Sequence, residues 1–86
     1  MAKLYRFFIK VKSSEHSADI QRHAFKLGYF WDGHGHNISH TDKKYIVFFP
    51  SHYLAATDDE RIETNKLSGK NIKYLEISGI EDIPEF

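Results

Sequence analysis

Three of the chain's six histidines, His34, His36 and His40, fall within seven residues. In an extended segment all three project to one side, with Asp32 in register. Neutral imidazoles so spaced are ligands for zinc or nickel. The pair His34-Gly35-His36 lacks the following Asp-His of hydrolytic metal centres. No His-x-Ser/Thr pair of a two-histidine phosphoesterase occurs. Gly33 and Gly35 make the segment a turn, a poor scaffold for a preorganised ligand set. No metal or other cofactor is therefore expected, and His34, His36 and His40 remain weak metal candidates. Trp31, Asp32, His34, His36 and His40 read instead as a partner-contacting loop.

A second constellation lies on one side of the first strand. Arg6, Phe8, Lys10 and Lys12 alternate along it, and Lys43 and Lys44 extend the basic patch if the third strand lies alongside. Cations that hold phosphates, interleaved with a ring that stacks on bases, are the ingredients of single-stranded RNA binding. Lysine on an edge strand also serves simply to block aggregation. His16 and His23 border a helix stripe with no nucleophile at readable spacing. Asp58-Asp59-Glu60 has no calcium-loop spacing and reads as a solvated loop tip. No phosphate-binding loop, dinucleotide fingerprint or nucleophile elbow occurs, so the expected activity is binding without catalysis.

These residues need elements to position them. Eighty-six residues make one domain, 1–86, with a C-terminal tail at 79–86. Twelve basic and twelve acidic residues cancel, so net charge steers the chain to neither nucleic acid nor acidic lipid. The absence of cysteine excludes disulfides and thiolate chemistry within the chain and leans toward a reducing cytosol. The apolar run Phe7-Phe8-Ile9 is cut off by Lys10 and Lys12, too short for a membrane span.

Lys3 to Lys12 alternates with the period of a half-buried strand. Ser13-Ser14 and Glu15 start a helix. Ile20, Ala24 and Leu27 form its apolar stripe, and Gly28 stops it, giving a helix from about Ser14 to Leu27. Phe25 lies off the stripe and either widens the buried face or caps the helix end.

Tyr29-Phe30-Trp31 begins a second strand. Asp32 to Gly35 is a loop, and Ile38 to Thr41 resumes extended structure. Lys44 to Phe49, apolar on both faces, is a central strand ended by Pro50. Ser51 to Glu60 reads as a connection, and Arg61 to Asn65 as a short strand around Ile62. Ser68 to Asn71 is a turn, and Ile72 to Ile77 the last strand. Ser78-x-x-Glu81 caps a helical turn, and Ile83 to Phe86 frays. The expected fold is α+β, β-α-β-β-β(-β), with one helix packed on a mostly antiparallel sheet. The other sheet face is left to solvent or a partner, and function is expected there.

The phrase Phe25-Lys26-Leu27-Gly28-Tyr29-Phe30-Trp31, preceded by Ser14-Glu15-His16-Ser17-Ala18-Asp19-Ile20-Gln21 and followed by Thr41-Asp42-Lys43-Lys44-Tyr45-Ile46, resembles small accessory proteins of tailed bacteriophages. Their pattern is a strand, a helix ending in a Leu-Gly-Tyr-x-Trp-like phrase, and a hairpin with a Lys-Tyr-aliphatic strand. The likeness spans roughly residues 5 to 49, and the His-Gly-His insert is not part of it. It implies a protein of the host cytoplasm that binds and inhibits or sequesters a host factor; an exposed edge strand, independently, leaves monomer or homodimer open. A host protein is the expected partner, RNA or a nucleotide the alternative, and no membrane partner is expected. No site residue carries over from the resemblance.

Overall fold

In the computed structural model, residues 4–64 and 72–84 are described. The chain runs β1 (Leu4–Lys10), α1 (Ser14–Lys26), β2 (Phe30–Trp31), β3 (Tyr45–Phe48), β4 (Tyr53–Thr57), a 3-10 helix (Glu60–Thr64), β5 (Ile72–Glu76) and a second 3-10 helix (Ile80–Asp82). The strands form one sheet in the order β2-β4-β3-β1-β5. It is an α+β fold with a mixed sheet: β1–β3 and β3–β4 pair antiparallel, β1–β5 and β2–β4 parallel.

The helix boundaries follow from local chemistry. Ser13 caps the start, its Oγ accepting from the His16 amide at 3.0 Å. The His16 ring returns the bond, its Nδ1 accepting from the Lys12 amide at 3.0 Å. The bond falls one residue before the Ser13 amide that a capping box would engage, and ties the entering chain to the first turn. At the other end the Tyr29 amide reaches the Ala24 carbonyl and the Gly28 amide the Phe25 carbonyl. That pair of bonds is a Schellman stop, and Gly28, at φ +96°, supplies the left-handed residue it needs.

The helix lays Ile20 and Ala24 on Ile9, Ile46, Phe48 and Leu54 of the sheet, with Tyr29 and Trp31 closing one side. Ile83 and Pro84 seal this core rather than fraying, and Glu85 and Phe86 lie outside the described residues. Ile83 is buried in it, and the Pro84 carbonyl accepts the Tyr29 hydroxyl at 2.7 Å.

Several expectations are corrected. The connection Ser51 to Glu60 contains β4. Phe49 and His52 close a turn around Pro50-Ser51, the His52 amide donating to the Phe49 carbonyl at 2.9 Å, and the chain returns as a hairpin. The small alanines of Tyr53-Leu54-Ala55-Ala56-Thr57 hide the alternation of a strand. The segment around Ile62 is a 3-10 helix, with Asn65 outside the described residues. Ile38 to Thr41 forms no strand. The turn at 68–71 lies outside the described residues. Ser78 bonds the Asp82 carboxylate and leaves the second 3-10 helix without a side-chain cap at Gly79.

The largest correction concerns the second sheet face. It is not uniformly open. Ile62, 0% exposed, presses on Phe8, Tyr45 and Val47 and makes a second apolar cluster with them.

Candidate functional site

The histidine loop is built as a cover for the sheet edge. Trp31 and Gly35 exchange backbone bonds at 2.9 and 2.8 Å, so the loop folds back on the outer edge of β2. Gly33 and Gly35, at φ +87° and +59°, permit that reversal. A strand edge whose amides are already bonded cannot recruit another strand.

Gln21 holds the loop to the helix. It is 0% exposed, and its amide is fully used. Nε2 donates to Ser17 Oγ at 3.0 Å and to the Ser39 carbonyl at 2.7 Å. Oε1 accepts from the Trp31 indole and from the Ser39 amide, both at 2.9 Å. Two donors and two lone pairs are all a glutamine amide has.

The histidines stay exposed on this frame, each with a ring neighbour. His36 stacks on Phe25 with ring centroids 5.1 Å apart, so Phe25 widens the buried face. His40 sits edge-on to Trp31 at 4.9 Å, and His34 lies 5.6 Å from His40. Among the described residues no group of three or more His, Cys, Asp or Glu is placed to hold a metal. Trp31 is 4% exposed; its indole faces the core and Gln21, which corrects its assignment as a partner contact. Asp32, His34, His36 and His40 remain on the surface.

The predicted basic row is broken into three. Phe8, 2% exposed, lies beneath the first 3-10 helix, edge-on to Tyr45 at 5.8 Å; it cannot stack on a base. Lys10 is neutralised by Glu63 at 2.6 Å and Glu76 at 3.9 Å. Glu63 also accepts the Tyr45 hydroxyl. The bond to Lys10, then that to Tyr45, holds Glu63 below the usual carboxylate range. The same contacts raise Lys10 and push Tyr45 up to about 12. Lys43 and Lys44 face Asp58 and Glu60 at 3.6 and 3.7 Å. With Lys12 they line an open cleft of about 290 Å³ beside the start of α1. Arg6 is at the other end of β1.

Around Arg6 is a feature the sequence did not reveal. Register places one residue from each of five successive chain segments in a line across the face opposite α1. Phe30 of β2 pairs with Tyr53 of β4; Tyr53 bonds Phe49, the residue after β3; Phe49 lies beside Arg6 of β1; and Arg6 pairs with Tyr74 of β5. Four interstrand steps make the line about 19 Å long.

Its members touch. The Phe30 and Tyr53 rings are 4.6 Å apart, inclined at 56°. Arg6 Cζ lies 4.5 Å from the Phe49 centroid and 5.9 Å from that of Tyr74. Arg6 Nη1 donates to the Tyr74 hydroxyl at 3.1 Å. Tyr53 is 39% exposed and the other four are half-buried. Such a strip offers apolar area, ring faces and one fixed cation, the residue types that dominate macromolecular interfaces. Sequence reasoning placed only Arg6 here, because Phe30 and Tyr53 join the line through β4.

Among the described residues no helix is long and apolar enough to cross a membrane. Comparison with protein-family models, with curated proteins and with solved structures finds no match to this chain.

Proposed function

We propose that this chain is a small phage-type accessory protein that binds a host protein and blocks it by occupying its surface, without catalysis. The observation that carries this reading is the line Phe30-Tyr53-Phe49-Arg6-Tyr74. Five ring or guanidinium side chains stand side by side, partly exposed, on the face that α1 does not cover. The contact surface is thereby moved from the histidine loop to this line. His36 and His40 of the loop are engaged with Phe25 and Trp31, which suits a structural cover. Single-stranded RNA is the competing occupant. It is disfavoured by the carboxylates that neutralise Lys10, Lys43 and Lys44, since binding to phosphates draws on uncompensated cations.

The test is affinity capture from bacterial lysate with three baits: wild type, Phe30→Ala/Tyr53→Ala, and His34→Ala. The reading expects a protein held by wild type and His34→Ala, lost by the double variant, and retained after nuclease treatment. Retention by the double variant, or loss on nuclease treatment, overturns it.

A further inference from the structure

We propose that Arg6 is the docking point for a carboxylate, an Asp or Glu side chain that a protein partner inserts among apolar groups into the aromatic line. This rests on the reading that the line is the contact surface, and it names the chemistry the partner must bring.

Arg6 differs from most cations around it. Lys10, Arg22, Lys43, Lys44 and Arg61 each have a carboxylate within 4.0 Å. Arg6 has none among the described residues, and its one hydrogen-bond acceptor there is the Tyr74 hydroxyl. A guanidinium carries five N–H donors in a rigid fork. The rings of Phe49 and Tyr74 hold that fork on either side. A half-buried cation so fixed has lost part of its hydration without gaining a counter-ion among the described residues. It also has little rotamer freedom left to lose when an acceptor arrives. Both conditions favour a planar, bidentate anion.

A carboxylate fits better than a nucleic-acid phosphate. On the same face one step along the strands, Glu76 pairs with Phe8, and Glu63 and Glu76 share the single ammonium of Lys10. That trio therefore carries one uncompensated negative charge on the face of Arg6. A polyanion meets that charge repeatedly, whereas one carboxylate meets only Arg6. The Phe30 and Tyr53 rings also lean against each other at 56° instead of lying flat as separate shelves for bases.

The experiment is an NMR titration of the full chain, following the Arg6 Nε–Hε signal and the amides of Phe30, Phe49 and Tyr53. The probes are the capped tripeptide Tyr-Asp-Tyr, its Tyr-Asn-Tyr analogue and a short oligouridylate. The expected result is that the Asp peptide shifts the line and the Arg6 Nε–Hε signal, with the Asn peptide about tenfold weaker. Arg6→Lys, whose amide spectrum verifies its fold, should lose the discrimination because it keeps the charge but not the fork. Equal binding of the two peptides on the line overturns the carboxylate inference and leaves the contact surface standing. Tighter binding of oligouridylate overturns the choice of partner. No shift on the line with any probe overturns the inference and counts equally against the contact surface.

Discussion

Replacing Gln21 by Leu keeps the shape of a buried helix residue and removes four hydrogen bonds at once. The consequences differ among the partners. The Trp31 indole N–H is buried and finds no water, which costs about 1–3 kcal/mol. The Ser17 hydroxyl is also buried but rotates to bond a carbonyl of its own helix at small cost. The Ser39 amide and carbonyl are half-exposed and rehydrate, costing a few tenths of a kcal/mol each. The expected loss is about 2–4 kcal/mol, set against roughly 4–13 kcal/mol for a domain of this size.

Guanidinium unfolding measures the loss, and hydrogen exchange at the Ser39 amide reports whether the loop has come away. Trp31→Phe supplies the cycle. With the indole N–H gone, Gln21→Leu should cost distinctly less than in wild type, because no donor is then stranded. If Gln21→Leu lies within about 0.5 kcal/mol of wild type, or Ser39 exchange is unchanged, Gln21 does not hold the loop and the reasoning fails.

Other perturbations probe other parts of the account. Burial pushes the Tyr29 hydroxyl up to about 12, and the bond to Glu63 does the same for Tyr45. Folded values above the ordinary 10 mean that this stabilisation is whole below pH 10 and disappears as pH rises through about 12. Alkaline unfolding followed by circular dichroism should coincide with the part of the tyrosinate absorbance that Tyr29→Phe and Tyr45→Phe remove, rather than trail it. Glu63 has the opposite sign. Its contribution is present above the ordinary carboxylate value and is lost as pH falls through its depressed one, and Lys10→Met should weaken that acid dependence in a pH series of melts. In Gly28→Ala the new Cβ would meet only His52 Cδ2 at 3.7 Å, so the cost is backbone strain at φ +96°, about 1–2 kcal/mol by chemical denaturation. Ile62→Ala should cost about 2–5 kcal/mol and speed exchange at the Phe8 and Val47 amides, since it uncovers the second apolar cluster.

What was legible in the sequence was mainly local. The Ser13 cap, the Ile20–Ala24 stripe and the stop at Gly28 are written in adjacent residues, and so are the alternation of β1 and the apolar run of β3. β4 was not legible, because its two alanines blur alternation and the strand exists through pairing with β3 and β2. Ile62 was recognised as apolar, yet five residues cannot say whether they form a strand or a tight helical turn over a sheet. Gln21 sits beside Ile20 with no local sign that a loop residue 18 positions away will saturate its amide. The candidate site was the least legible part. The line from Phe30 to Tyr74 has no sequence spacing to recognise, being assembled by sheet order and register. Of the histidine cluster, the feature most visible in the sequence, His36 and His40 proved to lie against Phe25 and Trp31.

The central claim is that this line, and not the histidine loop, is the surface that meets a partner. Oxidative footprinting of the chain, free and in its captured complex, tests it directly. The account predicts protection of Phe30, Phe49, Tyr53 and Tyr74 on complex formation, with His34 and Ile38 labelled as in the free chain. Protection of His34 and Ile38 with the line unchanged would contradict it.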